Sequence, residues 1–292
     1  MCIRDSHYLR SLGDDLSIDL PWDRIEVIEA GRTPFTPDWG KQDKTAGRLA
    51  LNALEIATET CMSRDIPLLV TAPVNKGSLL MAGFEYPGQT EFLAHAFSSE
   101  NFCMAFLSDS FHLLLATIHI SLSRVPELLN QNELFEKCVL FREALIRLNT
   151  SPRIAVCGLN PHASENGVFG DEEKRIIVPA IEKLKEKFGE NSFSGPFPPD
   201  TVFNKTISGE FDAVVAMYHD QGLIPLKLLA FDSAVNTTLG LPVFRTSPGH
   251  GTAFDIAGRN MANPDSMIAA VKWGIRLAYT NAETENIHVS DS

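Results

Sequence analysis

Asp212-Ala-Val-Val-Ala-Met-Tyr-His-Asp-Gln-Gly-Leu-Ile-Pro-Leu-Lys227 is the stretch from which the fold is read. Ala213 to Tyr218 is a short, β-branched and aromatic run, too brief for a buried helix and bounded by charge, so it reads as a central strand. His219 and Asp220 then stand where a parallel strand leaves its sheet, the edge at which open α/β folds bind ligands. Gln221-Gly222 is expected to turn the chain, with Pro225 delaying any helix, and Lys227 adds a cation just beyond.

Outward from this strand the same pattern recurs. Ile66 to Val70, His112 to Ile120 and Arg153 to Gly158 read as strands, and Ile25 to Ile28 as the first recognisable one. Lys44 to Arg64 carries Ala46, Leu49, Ala50, Ala53, Leu54 and Ala57 at helical spacing. Helices are also expected from Glu127 to Asn149, after Asp171-Glu-Glu173, and from Pro264 to Ala278. Gly189 to Pro199 reads as an excursion between elements, and Val235 to Arg245 as alternating segments with Asn236 and Arg245 near successive turns. Strands alternating with helices make this an α/β protein.

With 292 residues, 44% of them hydrophobic, the chain can fill two packed lobes. A net charge of −12 repels phosphodiester backbones and anionic lipid, which excludes nucleic acid and membrane surfaces as partners and leaves a small molecule. Five scattered cysteines with no C-x-x-C pair fit a reducing cytoplasm rather than a disulfide or zinc-ribbon scaffold. No apolar run reaches the roughly 20 residues that span a bilayer.

Chemistry concentrates at strand ends. His119, His162 and His219 each follow an apolar strand, so one sheet edge can present three imidazoles to a divalent metal with a position left open for catalysis. His7, His95, His112 and His288 lack that context and read as structural or solvent-facing. Lys227, Asn236 and Arg245 suit a phosphate or carboxylate. Gly88, Gln89 and Thr90 open a helix whose first amides can hold a phosphate, and Asn75 and Lys76 face the same kind of anion. Each of these also reads as an ordinary cap or surface residue. Asp200 and Asp220 are candidate bases, or partners that orient a liganding histidine. The dinucleotide fingerprint G-x-G-x-x-G is absent, so any nucleotide is held another way.

Thr71-Ala-Pro-Val-Asn-Lys76, Pro87-Gly-Gln-Thr-Glu-Phe-Leu93, Asn160-Pro-His-Ala-Ser-Glu-Asn166, Pro199-Asp-Thr-Val-Phe203, Tyr218-His-Asp-Gln-Gly222 and Val235-Asn-Thr-Thr-Leu-Gly-Leu-Pro242 together resemble the 4-hydroxythreonine-4-phosphate dehydrogenase family of the vitamin B6 pathway. The resemblance runs from Leu9 to Leu277. It implies that His119, His162 and His219 bind a divalent metal (Zn, Co or Mg) at a dimer interface, and that Gln89, Thr90, Lys227, Asn236 and Arg245 contact a phosphorylated substrate. His250-Gly-Thr-Ala-Phe-Asp-Ile-Ala-Gly258 with Asn263 is similar to the adenosine-binding loop of isopropylmalate and isocitrate dehydrogenases. By that likeness His250, Gly251, Thr252, Asp255 and Asn263 hold NAD, with Asp255 on a ribose hydroxyl.

The implied fold is a pair of α/β/α lobes arranged as in those dehydrogenases, residues 1–88 plus 245–292 on the cofactor side and 89–244 for metal binding and dimerisation. Two departures stand out. Gln89 occupies a position where the family has His, and the family's Gly-rich opening is missing, so an N-terminal strand and helix are expected to be absent and the first residues to lie outside the fold. The implied reaction is oxidation of 4-phosphooxy-threonine by NAD to a β-keto acid that decarboxylates. Alternatives are a threonate or erythronate 4-phosphate dehydrogenase, a metal-dependent hydrolase built on the same three histidines, and an inactive homologue that still dimerises.

Overall fold

The computed structural model describes residues 1–4, 6–31, 35, 38–149 and 151–279. Strand β1 (Cys2–Arg4), helix α1 (Ser6–Leu16) and strand β2 (Val27–Glu29) come first, and β1 pairs in parallel with β2. The opening residues, expected outside the fold, are thus part of a two-stranded sheet.

Helix α2 (Lys44–Ser63) starts where the Asp43 carboxylate accepts from the Ala46 amide at 2.7 Å, and it buries Leu51, Leu54, Ala57 and Cys61. Strand β3 (Leu68–Val70) leads to α3 (Lys76–Met81), whose cap is Asn75, accepting from Ser78 N at 2.9 Å. That bond uses the Asn75 side-chain carbonyl oxygen to cap the helix. There follow α4 (Gln89–Ala96), β4 (Cys103–Leu107) and β5 (His112–Leu115), which ends sooner than expected and leaves His119 on the loop beyond. The helix expected from Glu127 to Asn149 is two, α5 (Val125–Leu128) and α6 (Gln131–Ile146), because the Asn130 side chain accepts from Asn132 N and Glu133 N and restarts the helix.

Strand β6 (Ile154–Cys157) enters the long loop that carries His162, and the chain returns through a π turn at Glu173–Ile177 into α7 (Val178–Phe188). The Gly189–Pro199 excursion contains β7 (Phe193–Phe197), an outer strand parallel to β6, a place where Pro196 is tolerated. Helix α8 (Pro199–Ile207) precedes β8 (Ala213–Ala216), the strand read first in the sequence, and α9 (His219–Ala230) follows at once. Gln221-Gly222 is therefore helical, and Pro225 lies inside α9 instead of preventing it. One backbone hydrogen bond is forgone, and burial of Leu223, Leu226 and Ala230 outweighs it. Asn236 and Arg245 sit within strands β9 (Val235–Leu239) and β10 (Phe244–Pro248), not at turns, and α10 (Asp265–Ala278) closes the described chain.

Eight strands form one sheet in the order β3-β10-β9-β4-β5-β8-β6-β7. Neighbours are parallel except at β10–β9, β9–β4 and β4–β5. Both faces are covered. Ala105, Leu114, Val156 and Val215 point to a core that includes Phe141, Ile177, Leu184 and Trp273, while Phe106, Leu113, Cys157 and Ala216 pack with Val202, Leu223 and Leu226 on the other side. A third cluster joins α2, α3 and α4 through Leu54, Leu79 and Leu93. Truncating the fully buried Phe141 to Ala costs about 3–5 kcal/mol at such a site. Because β5, β8 and β6 are adjacent and parallel, their C-terminal ends share one edge.

Candidate active site

At that edge the rings of His119 and His219 come within 5.9 Å, centroid to centroid. His219 opens α9, and its Nδ1 lies 2.6 Å from Asp220 Oδ1. A carboxylate on one ring nitrogen fixes the imidazole and leaves Nε2 for a ligand. Partial burial lowers the His119 pKa, with Lys76 and His219 pushing the same way and Glu91 opposing them. A neutral imidazole is the form that coordinates a metal, which suits His119 to a divalent ion, and His219 stands beside it with one ring nitrogen held by Asp220. His162 is exposed beside Phe169, its ring 6.3 Å from that ring, and is not part of the pair. Among the described residues of one chain, no three His, Cys, Asp or Glu side chains converge to hold a metal. Asp200 is exposed in the first turn of α8.

A second cluster stands on β10, β9 and the start of α4. Arg245, only 4% exposed, donates from Nε and Nη2 to Thr71 Oγ1 at 3.0 and 2.8 Å, from Nη1 to Thr238 Oγ1 at 3.4 Å, and from Nη2 to Gln89 Oε1 at 3.2 Å. Every one of these acceptors is neutral. Desolvation pushes the guanidinium down to about 10, and Glu91 is the opposing carboxylate. A buried cation bonded only to hydroxyls and an amide is the setting in which an incoming anion gains most. The first amides of α4 add to it, since its cap residue Gly88 offers no side-chain acceptor. Thr90 lies buried with its hydroxyl 3.5 Å from that of Thr238, and Asn236 Oδ1 is buried without a hydrogen-bond partner among the described residues.

Gln89 and Thr90 join Arg245 through Gln89 Oε1 and Thr238, Asn236 stands on β9 two residues before Thr238, and Lys227 is exposed in the last turn of α9. Thr71, Thr238 and Glu91 were missed. All three lie within quoted motifs, but their closeness to Arg245 comes from the pairing of β10 with β3 and β9 and from the start of α4, which residue order does not show.

The loop expected to hold a dinucleotide follows β10. His250 and Asp255 are exposed, Thr252 is half-buried, and nothing lies within 4 Å of the point where a Gly251 side chain would start, so its backbone is open to a ligand. His250 Nδ1 approaches Gly251 O at 2.8 Å, and Asn263 Oδ1 accepts from Asp265 N at 2.9 Å, leaving its amide nitrogen as a donor. An accessible backbone with an exposed carboxylate and amide fits an adenosine moiety.

Residues 8–274 match the model of the family described as pyridoxal phosphate biosynthetic protein PdxA. The chain is 46% identical to a 4-hydroxythreonine-4-phosphate dehydrogenase from Desulfosudis oleivorans, over 83% of this chain and 72% of that one. It is 44% identical to a D-threonate 4-phosphate dehydrogenase from Salmonella typhimurium, over 89% and 77%. Among solved structures, a 4-hydroxythreonine-4-phosphate dehydrogenase from Klebsiella pneumoniae superposes with a TM-score of 0.79 at 36% identity, covering 95% of this chain and 89% of that one. Fold, motif order and relatives agree, and the chain belongs to the PdxA family.

Proposed function

We propose that the chain oxidises 4-phosphooxy-threonine with NAD to a β-keto acid that loses carbon dioxide to give 3-amino-2-oxopropyl phosphate, a step of vitamin B6 biosynthesis in the cytoplasm. Family membership makes it an oxidoreductase acting on a CH–OH group, which removes the hydrolase alternative. The observation that carries the substrate class is Arg245, a buried cation whose hydrogen bonds all go to neutral groups, beside the open start of α4.

In this reading Arg245, Thr90 and Asn236 grip the phosphate, with Gln89 holding the guanidinium in place and Lys227 contributing charge. The hydroxyl to be oxidised then lies toward His119 and His219. A divalent ion held by these histidines would supply Lewis-acid polarisation of that hydroxyl, and NAD held by the loop after β10 would supply a hydride acceptor. Asp220 keeps the His219 ring in one tautomer, and Asp220 or Asp200 takes up the released proton. His250, Gly251, Thr252, Asp255 and Asn263 hold the dinucleotide, Asp255 favouring a free ribose hydroxyl over a 2′-phosphate.

His162 completes the metal site from a second copy, so the active site is shared in a homodimer. Support comes from apolar side chains at the surface of α9 and the His162 loop, among them Leu228 at 81%, Phe231 at 66% and Val168 at 71% exposure. Residues 1–88 plus 245–292 form the cofactor-side lobe and 89–244 the metal-binding and dimerisation lobe. Arg245 bonds to Thr71 in the first part and to Gln89 and Thr238 in the second, as a residue at the junction would.

A D-threonate 4-phosphate dehydrogenase is the second reading, favoured by the Salmonella typhimurium relative. NADH formation with 4-phosphooxy-threonine, D-threonate 4-phosphate and erythronate 4-phosphate, with and without divalent ions, tests both. Metal-dependent NADH from the first is expected; turnover of threonate 4-phosphate alone moves the assignment to the second, and no NADH from any of them refutes both.

A further inference from the structure

Two buried polar side chains join the strand ends from which the loops of His162 and His219 depart. Gln221, 8% exposed, uses both ends of its amide: Oε1 accepts from Met217 N at 2.6 Å, just past β8, and Nε2 donates to Gly158 O at 2.9 Å, just past β6. Glu173, 3% exposed in the π turn, accepts from Asn160 N at 2.8 Å through Oε1 and from Asn160 Nδ2 at 2.9 Å through Oε2. Glu172 Oε2 shares that nitrogen at 2.8 Å.

The two clamps meet at Gly158. A side chain there would start 2.8 Å from Ala163 Cα and 3.0 Å from Glu173 Oε1, so only glycine lets the loop and the carboxylate close over the strand end. Within α9, Gly222 allows a similarly close approach, because a Cβ would lie 2.8 Å from the Leu113 methyls and hold the helix off the sheet.

The segment held between Asn160 and Glu173 is strained. His162, Ala163, Ser164, Glu165 and Asn166 have φ of 54°, 52°, 70°, 45° and 57°, five left-handed residues in succession. Each non-glycine residue in that region costs on the order of 1 kcal/mol, less for Asn, and such a run persists only where its surroundings over-determine it. Released from Glu173, it relaxes toward negative φ and carries the His162 ring with it. Gln221 lies two residues after His219, so loss of its bonds frees the start of α9.

We propose that Glu173 and Gln221 are positioning residues of the divalent-metal site, fixing where His162 and His219 present their ring nitrogens. This rests on the reading that the three histidines bind one ion. A merely structural role predicts lower stability with unchanged metal affinity of the folded protein; a positioning role predicts weaker binding by protein that is still folded.

The test is calorimetric and absorption titration of chelator-stripped full-length protein with Co²⁺, well below each variant's melting midpoint. Wild type is expected to bind. Glu173→Ala and Gln221→Ala are expected to bind 10- to 100-fold more weakly, the usual range for residues that orient metal ligands, with an altered visible spectrum, and the near-isosteric Glu173→Gln to recover most of the affinity. Alanine variants that bind within twofold of wild type with the same spectrum overturn the positioning role while leaving the metal site standing. A wild type that takes up no Co²⁺ overturns the metal reading and this inference with it. Should the alanine variants fail to fold, Gln221→Glu replaces them; it keeps the acceptor for Met217 N and loses the donor to Gly158 O. A threefold or larger loss of Co²⁺ affinity in this variant supports the proposal, and no loss overturns it.

Discussion

His119 and His219 leave different strands, yet their rings approach to 5.9 Å because β5 and β8 are parallel neighbours that end together. The pair is built by the sheet itself, within one chain.

If His162 reaches such a pair from the other subunit, two inactive variants complement each other. His162→Ala and His219→Ala homodimers are expected to give no metal-dependent NADH. A mixed dimer then holds one intact site of two, so random reassociation restores about a quarter of wild-type activity by two-fold symmetry. Absence of any recovery in mixtures verified to contain hybrid dimers counts against a shared site.

Arg245→Lys keeps the charge but loses the planar fork that spans Thr71, Thr238 and Gln89. Steady-state kinetics with the phosphorylated substrate are expected to lose on the order of a hundredfold in kcat/KM, mostly through KM, since the phosphate is held alike in ground and transition states. A change below threefold would remove Arg245 from the phosphate site.

His112 sets a pH limit on stability. Burial lowers its pKa to about 4, with Arg276 acting the same way and Asp212 and Asp109 opposing. The fold favours the neutral ring, so its contribution is complete above the ordinary value near 6.5 and is lost as pH falls from there toward 4, by about 3 kcal/mol at most. Melting midpoints measured between pH 7.5 and 4.5 are expected to fall more steeply for wild type than for His112→Phe. Parallel curves would clear His112 of the effect.

Cys103, Cys138 and Cys157 are buried in the core, and desolvation raises each thiol, Cys103 to about 12. Only thiolates alkylate at a useful rate. Peptide-resolved mass spectrometry after iodoacetamide at pH 8 is expected to find these three unmodified in native protein and modified after denaturation.

Much of this was legible from residue order. The central strand was plain because Ala213 to Ala216 is buried on both faces and so uninterrupted by polar residues. The phosphate cluster was legible as residue types but not as strands, since Asn236 and Arg245 sit among threonines whose burial is decided by β9 pairing on both sides. Strand β7 was hidden by Gly195 and Pro196, which an outer strand accommodates. Pro225 misled because proline is read locally, whereas α9 is held by Leu223 and Leu226 against the sheet. The clamps at Gln221 and Glu173 left no pattern, because a buried amide or carboxylate is recognised only by what it touches.

The pairing of β10 with β3 joins Phe244 to Leu68 and Thr246 to Val70 across most of the polypeptide. During synthesis Thr71 emerges long before its arginine partner, and no fragment that stops short of β10 has the anion grip at all. Contacts so distant in sequence form slowly. A nascent chain must therefore keep the edges of β3 and β9 from unwanted pairing until β10 has been made, which ties completion of the sheet to a strand that follows β3 by more than half the length of the sequence.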